Sequence, residues 1–149
     1  MPHFADGTWP DHSGLWYQLN STISNTTATN ATVTTFTVPA VEHQIDRTVS
    51  PHRYTTFCRF TIYYRVASID SGGTAPTASF SLDYTTPDTQ QTATISFTSV
   101  NALTLNAVNS HQVMVPIMPG TTVTLKRSTG GTVGGTPATV MLDFAAEGV

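Results

Sequence analysis

The chain has 149 residues, of which 39% are hydrophobic and only 10% are charged, with a formal net charge of −3 at pH 7. This length fits one domain with a hydrophobic core, and the hydrophobic fraction excludes a disordered chain. Because Lys and Arg together number only six, nucleic-acid binding is not expected. The sequence contains no run of about 18 consecutive apolar residues, so it predicts no membrane-spanning helix.

Four aromatic side chains lie in the first 20 residues, among Gly, Pro and Ser and without a helical or strand period: Phe4, Trp9, Trp16 and Tyr17. Two interpretations are open. The aromatics either anchor an extended arm, or they cap the domain's own core. A threonine-rich tract follows and becomes a strand near Ala31. We therefore predict an extended N-terminal arm and a polar entry over residues 1–30, and a folded domain over residues 31–149.

The clearest strand pattern runs from Thr55 to Ala67. Its period of two places one set of side chains on a core face, namely Cys58, Phe60, Ile62, Tyr64 and Val66. The opposite face carries Phe57, Arg59, Tyr63 and Arg65. Aromatic residues and arginine are enriched where proteins contact proteins, so this second face predicts an interface with another protein.

Further short alternating segments follow at the spacing that is typical of a sandwich or barrel. Their predicted inward positions are Phe80, Leu82 and Tyr84; Ala93, Ile95 and Phe97; Val113, Val115 and Ile117; Val123 and Leu125; and Val140, Leu142 and Phe144. Pro116 confines its strand to a sheet edge or a bulge. The glycine-rich segment STGGTVGGTP predicts a hairpin loop, and the last strand is expected to be a central or paired strand of the sheet. The fold class predicted is all-β, a single antiparallel β-sandwich or jelly roll of about eight strands.

Reactive chemistry is sparse in this sequence. Cys58 is the only cysteine. It lies in phase with a core face, which predicts a buried, inert thiol and a chain made in a reducing cytosol. There is no G-x-S-x-G motif, and no pair of histidines has metal-ligand spacing. We expect no catalytic, cofactor-binding or metal-binding residues, no cofactor and no enzyme activity.

Three segments carry a resemblance to a known class of protein: FTIYYRVASIDSGGTAPTASFSLDYTTPDTQQTATISF, PIMPGTTVTLKRSTGG and PATVMLDFAAEGV. From about Phe57 onwards the chain resembles small threonine-rich jelly-roll proteins of tailed-phage (bacteriophage) virions, such as capsid decoration or cement proteins. It also resembles the trimeric β-sandwich heads of the TNF/C1q-like fold.

The resemblance implies a structural virion protein that binds and stabilises the assembled capsid. In that role the arm would be anchored to the capsid or to a neighbour by Phe4, Trp9, Trp16 and Tyr17. The oligomer or capsid interface would be formed by Phe57, Arg59, Tyr63 and Arg65. Its partners would be further copies of itself, as a homotrimer, and the major capsid protein, with no nucleic acid and no membrane. Its location would be the capsid surface, after synthesis in the host cytoplasm. Deleting residues 1–19 should then abolish capsid association and leave the domain folded. Two other functions stay open: a tail-fibre or receptor-binding head, and a carbohydrate-binding module in which Tyr63 or Trp16 stacks on a sugar.

Overall fold

The computed structural model describes residues 14–26, 28–39, 56–69, 72, 77–97, 100–101, 104–130 and 135–149. Within these ranges every regular element is a β-strand. The strands are β1 (Gly14–Ser24), β2 (Ala28–Thr37), β3 (Thr56–Ser68), β4 (Thr77–Thr85), β5 (Thr92–Ser96), β6 (Val100–Asn101), β7 (Val108–Ile117), β8 (Thr122–Gly130) and β9 (Thr139–Gly148).

The strands form two antiparallel sheets that pack face to face as a β-sandwich. Sheet A has the order β1-β9-β3-β7, and sheet B has the order β2-β8-β4-β5, with the short β6 paired to β4. The predicted all-β sandwich is therefore confirmed. The C-terminal strand β9 lies between β1 and β3, as the sequence predicted, and β7 with its Pro116 lies at an edge of sheet A.

The core lies between the two sheets and consists of the inward side chains that the period of two had predicted. On β3 the five predicted core residues, from Cys58 to Val66, are fully buried. Aromatic rings contact one another within and between the sheets. Phe60 and Phe144 of sheet A stack with ring centroids 6.1 Å apart, and Phe36 of sheet B meets both. Such ring pairs contribute beyond the area that they bury, so they join the two sheets.

The sandwich begins earlier in the chain than the sequence indicated. Residues 14–24 form β1 at one edge of sheet A, and β2 begins at Ala28, so part of the range assigned to the arm and entry is sheet. Tyr17, Leu19 and Ile23 face the core, but the register shifts between Leu15 and Tyr17. This bulge at Trp16 breaks the alternation that reveals a strand.

The glycine-rich connection after β8 also differs from the prediction. The sequence predicted a hairpin there, but β8 belongs to sheet B and β9 to sheet A. The connection therefore passes from one sheet to the other, and β9 pairs with β1 and β3. A glycine-rich segment is compatible with both kinds of connection, so composition alone did not distinguish them.

The thiol of Cys58 lies in the core, as predicted. Its side chain is fully buried, and burial raises its pKa to about 12. A thiol with so high a pKa is protonated at neutral pH, and the thiolate is the reactive form. Cys58 is therefore a packing residue of β3.

One ion pair on sheet B predicts a pH dependence of stability. Asp83 accepts hydrogen bonds from Lys126 and from Thr94, the latter at 2.7 Å, and these bonds lower the pKa of its carboxyl below 3.8. A lowered pKa in the folded state adds stability above the unfolded pKa, and this stability is lost as the pH falls through the folded pKa. We expect Asp83→Asn to lower the free energy of unfolding by about 0.5–1 kcal/mol at pH 7.

Urea unfolding of wild type and Asp83→Asn at pH 7 and at pH well below 3.8 measures this effect. The difference between the two proteins should shrink at the acidic pH. Lys126→Met should reduce the pH dependence in the wild-type Asp83 background, because it removes the largest cause of the lowered pKa. An Asp83→Asn effect that is the same at both pH values would contradict the assignment.

Candidate functional site

The outer face of sheet A, the side turned away from the core, carries an unusual set of apolar side chains. Among the described residues, nine large hydrophobic side chains are exposed, and seven of them lie on this face, between 38% and 60% exposed. The seven are Leu15, Phe57, Tyr63, Val108, Met114, Met141 and Val149. The other two, Ile69 and Leu105, lie outside the strands. Contiguous apolar patches on a protein surface mark interaction sites.

Strand register brings these side chains into rows that cross the sheet. Arg59 of β3 lies between Met114 of β7 and Glu147 of β9, and Leu15 of β1 follows Glu147. Two rows further along, Tyr63 lies between Ser110 and Asp143. Directly paired residues on antiparallel strands have Cβ atoms about 4.5–5.5 Å apart, so Arg59 adjoins Met114 directly. The polar row of Thr61 and Gln112 separates this row from that of Tyr63.

The charges on this face are arranged by strand. The two arginines, Arg59 and Arg65, lie on β3, and the two carboxylates, Asp143 and Glu147, lie on the neighbouring β9. The Arg59 guanidinium donates to Oε2 of Glu147 from Nε at 2.9 Å and lies 2.7 Å from it at Nη2. Side-chain exposures of 40% and 34% place this pair in partial contact with solvent, where ion pairs are worth little for stability.

The remaining two charges are not paired with each other. Arg65 donates from Nη2 to the sulfur of Met141 at 3.0 Å, and Asp143 accepts from the amide of Asn20 at 2.5 Å. Among the described residues, only Arg59 with Glu147 and Lys126 with Asp83 form ion pairs. Arg65 therefore presents a cation without a carboxylate partner in this part of the chain.

The outer face of sheet B has a different character. Its side chains are almost all hydroxyls, with the Lys126–Asp83 pair among them. They are Thr32, Thr35, Thr37, Thr77, Ser79, Ser81, Thr85, Thr92, Thr94, Ser96, Thr122, Thr124 and Ser128. The two sheets are similar in size and belong to one domain. Of their two outer faces, within the ranges that the structure describes, only that of sheet A exposes large apolar side chains.

The structure brings together the four residues that the sequence assigned to an interface. Phe57, Arg59, Tyr63 and Arg65 all lie on the outer face of β3, with Phe57 50% and Tyr63 39% exposed. The sequence did not assign Leu15, Val108, Met114 and Met141 to this face. Their signal was the outward phase of their strands, which becomes informative only when β1, β9 and β7 are known to flank β3.

The four predicted arm anchors fall into two groups. Phe4 and Trp9 lie outside the described residues. Trp16 and Tyr17 belong to β1 and pack against the core. The Tyr17 ring stacks on Phe36 with centroids 4.9 Å apart and an interplanar angle of 8°, and its hydroxyl bonds Thr34 at 2.5 Å. For Tyr17 this geometry agrees with the second of the two interpretations of the sequence, in which the aromatic side chain caps the domain's own core.

A second surface feature is a shallow polar groove of about 290 Å³ between β1 and β2. Hydroxyl side chains and Arg127 line it, and Arg127 donates to the carbonyl of Ser24 at 2.6 Å. Its lining includes no aromatic ring, the element on which a sugar ring would stack. Over the ranges that the structure describes, no three His, Cys, Asp or Glu residues are placed to hold a metal ion, and no helix could cross a membrane.

Comparison with known proteins shows the fold. No protein-family model and no curated protein matches the sequence. Among solved structures, the VP2 subviral particle of infectious bursal disease virus matches with a TM-score of 0.57 and 15% identity, over 88% of this chain and 31% of VP2. This chain therefore shares a β-sandwich fold with part of VP2 and spans about a third of the VP2 length.

Two other similarities are more distant. The structure of the Gt strain of infectious bursal disease virus matches with a TM-score of 0.49 and 15% identity, over 88% of this chain and 30% of that one. The CBM22-1 xylan-binding domain of Paenibacillus barcinonensis Xyn10C matches with a TM-score of 0.37 and 12% identity, over 63% of this chain and 56% of that domain.

Proposed function

We propose that the protein is a structural, non-enzymatic virion component that decorates an assembled capsid and stabilises it. The observation that carries the proposal is the contrast between the two outer faces, since sheet A exposes aromatic, Met and Arg side chains where sheet B exposes hydroxyls. Fully desolvated contacts made by such residues dominate the energetics of protein interfaces. The sandwich fold shared with a viral capsid protein supports the same role.

The size of the outer face of sheet A fits a protein partner. Five rows of outward residues extend about 30 Å along the strands, and four strands with their side chains span about 20 Å across. The face therefore offers about 600 Å² per protomer, and a contact with a partner of similar size would bury about 1,200 Å², the lower limit of stable interfaces.

The stabilising mechanism is mass action. A protein that binds the assembled shell and not its separated subunits shifts the equilibrium towards the shell, by an amount that grows with occupancy and affinity. No catalytic group is needed for this effect. The outer face of sheet A, with Phe57, Arg59, Tyr63 and Arg65 at its centre, would contact either the shell or a neighbouring copy.

The N-terminal segment is the second element of the proposal. Residues 1–13 precede Gly14, which begins β1 at the end of the sheet where Gly148 is its partner. Phe4 and Trp9 in this segment would anchor the domain to the major capsid protein or to a neighbour. A homotrimer on the capsid surface, in a protein made in the host cytoplasm, is what the sequence resemblance implies.

The test of the proposal is co-sedimentation with assembled shells of the virus. We expect the double variant Arg59→Glu, Tyr63→Ala to lose at least about tenfold in the amount bound, because like charges and truncated aromatic anchors weaken interfaces by more than 1.4 kcal/mol. A matched double variant on the other sheet, Lys126→Glu with Thr94→Ala, should bind as wild type. Equal binding by all three proteins would contradict the proposed use of sheet A.

A further inference from the structure

The outer face of sheet A is complementary to itself. Its arginines lie on β3 and its carboxylates on the adjacent β9. Arg59 shares a row with Glu147, whereas Arg65 lies one row beyond Asp143. Two neighbouring strands of opposite charge become complementary when a second identical face is turned about an axis that runs between them, parallel to the strands.

We propose that this face binds a second copy of the chain, sheet A to sheet A, about such a two-fold axis between β3 and β9. The inference rests on the proposed function, because it names the partner of the same surface. A closed two-fold contact is isologous, so every pairing occurs twice. Glu147 of each copy would lie opposite Arg59 of the other, and Asp143 opposite the Tyr63 hydroxyl, which can donate to it.

The apolar side chains match under the same operation. Phe57 and Val149 are neighbours at one end of the face, where the Val149 amide donates to the Phe57 carbonyl at 3.1 Å. The two-fold axis would place Phe57 of each copy against Val149 of the other. Met114 at one side of the row of Arg59 would meet Leu15 at the other side. These two apolar contacts therefore match, whereas Val108 would meet Thr22 of the other copy.

The intrachain contacts leave capacity for this pairing. Both contacts between Arg59 and Glu147 reach the same carboxylate oxygen, Oε2, so Oε1 can accept from the partner copy's arginine. Aligned sheets pack about 10 Å apart with their strand directions within about 30° of each other, a spacing that long Arg, Glu and Met side chains can bridge. The contact would bury about 1,200 Å² in total, enough for a stable dimer.

The two-fold contact differs from the three-fold one that the sequence resemblance implies. A trimer needs two unlike surfaces that meet head to tail. The outer face of sheet A instead carries positive charges on β3 and negative charges on β9, and would meet its own copy. The charge pattern therefore favours a dimer, and the mass in solution distinguishes the two assemblies.

Sedimentation velocity of the full-length protein tests the inference. Wild type should sediment as a dimer of the 16.0 kDa chain. Arg59→Glu alone and Glu147→Arg alone should each weaken self-association on the order of 100-fold, since each puts four like charges at the centre of the contact. A 1:1 mixture of the two variants should form a heterodimer, because each supplies the charge that the other lacks. Lys126→Glu, the same charge change on sheet B, should remain a dimer.

A wild-type monomer or trimer would overturn the inference, and this result needs no variant to be folded. Failure of the mixed variants to associate, with both folded by circular dichroism, would overturn it as well. Co-sedimentation with shells separates this failure from failure of the proposed function. A monomeric protein that still binds shells through sheet A would retain the function without the dimer, and a dimer that never binds shells would retain the dimer without the function.

Discussion

Replacing Phe144 by alanine should lower the free energy of unfolding by about 3–5 kcal/mol, the usual cost of truncating a buried phenylalanine. Phe144 is 1% exposed on the central strand β9. Its ring contacts those of Phe60, Phe36 and Tyr17, with centroids 6.1–6.3 Å away. The truncation therefore opens a cavity where the two sheets meet, and close-packed neighbours fill such cavities only in part.

Chemical denaturation measures this cost, and Leu105→Ala provides the control. Leu105 is 48% exposed and lies outside the strands, so its truncation should cost less than about 1 kcal/mol. Similar losses for the two variants would mean that Phe144 does not hold the layers together in the way described.

Deletion of residues 1–19 should remove most of the domain's free energy of unfolding. Deletion of residues 1–13 should leave that free energy nearly unchanged. The longer deletion removes Trp16, Tyr17 and Leu19, which pack against the core, and half of the β1–β9 ladder. Three part-buried side chains alone contribute about 4 kcal/mol, a large fraction of the 5–15 kcal/mol that is typical of a domain.

This expectation replaces the one drawn from the sequence, in which residues 1–19 were removable without unfolding. Thermal unfolding of the two truncated proteins distinguishes the cases. Loss of the cooperative transition in the longer deletion alone would agree with β1 as part of the sheet. Two equally stable truncations would show that β1 contributes little to the fold.

Much of the fold was predictable because strand periodicity is a local property. Alternation along residues 56–68 placed Cys58 inward and Arg59 outward, and the apolar phase of β9 marked Phe144 as core. Periodicity failed where the backbone departs from a regular strand. The bulge at Trp16 shifts the inward–outward alternation along β1, so the sequence indicates an arm there. A second bulge, between Thr32 and Thr34, shifts the alternation along β2.

The candidate site was predictable only on its central strand. The outward face of β3 showed Phe57, Arg59, Tyr63 and Arg65 in the sequence, but the carboxylates opposite them come from β9, about 80 residues further along the chain. Register between distant strands is set by the packing of the whole sandwich and not by local sequence. The pairing of Arg59 with Glu147, and with it the self-complementary charge pattern, required the three-dimensional structure.

Site-specific photo-crosslinking in assembled particles tests the central claim, that the outer face of sheet A is a protein-binding surface, most directly. A benzophenone amino acid would replace Tyr63 on that face or, as the control, Thr122 on the exposed outer face of sheet B. We predict a covalent adduct with a second polypeptide, of this chain or of the shell, from position 63 and little or none from position 122. Adducts that form from position 122 and not from position 63 would contradict the claim.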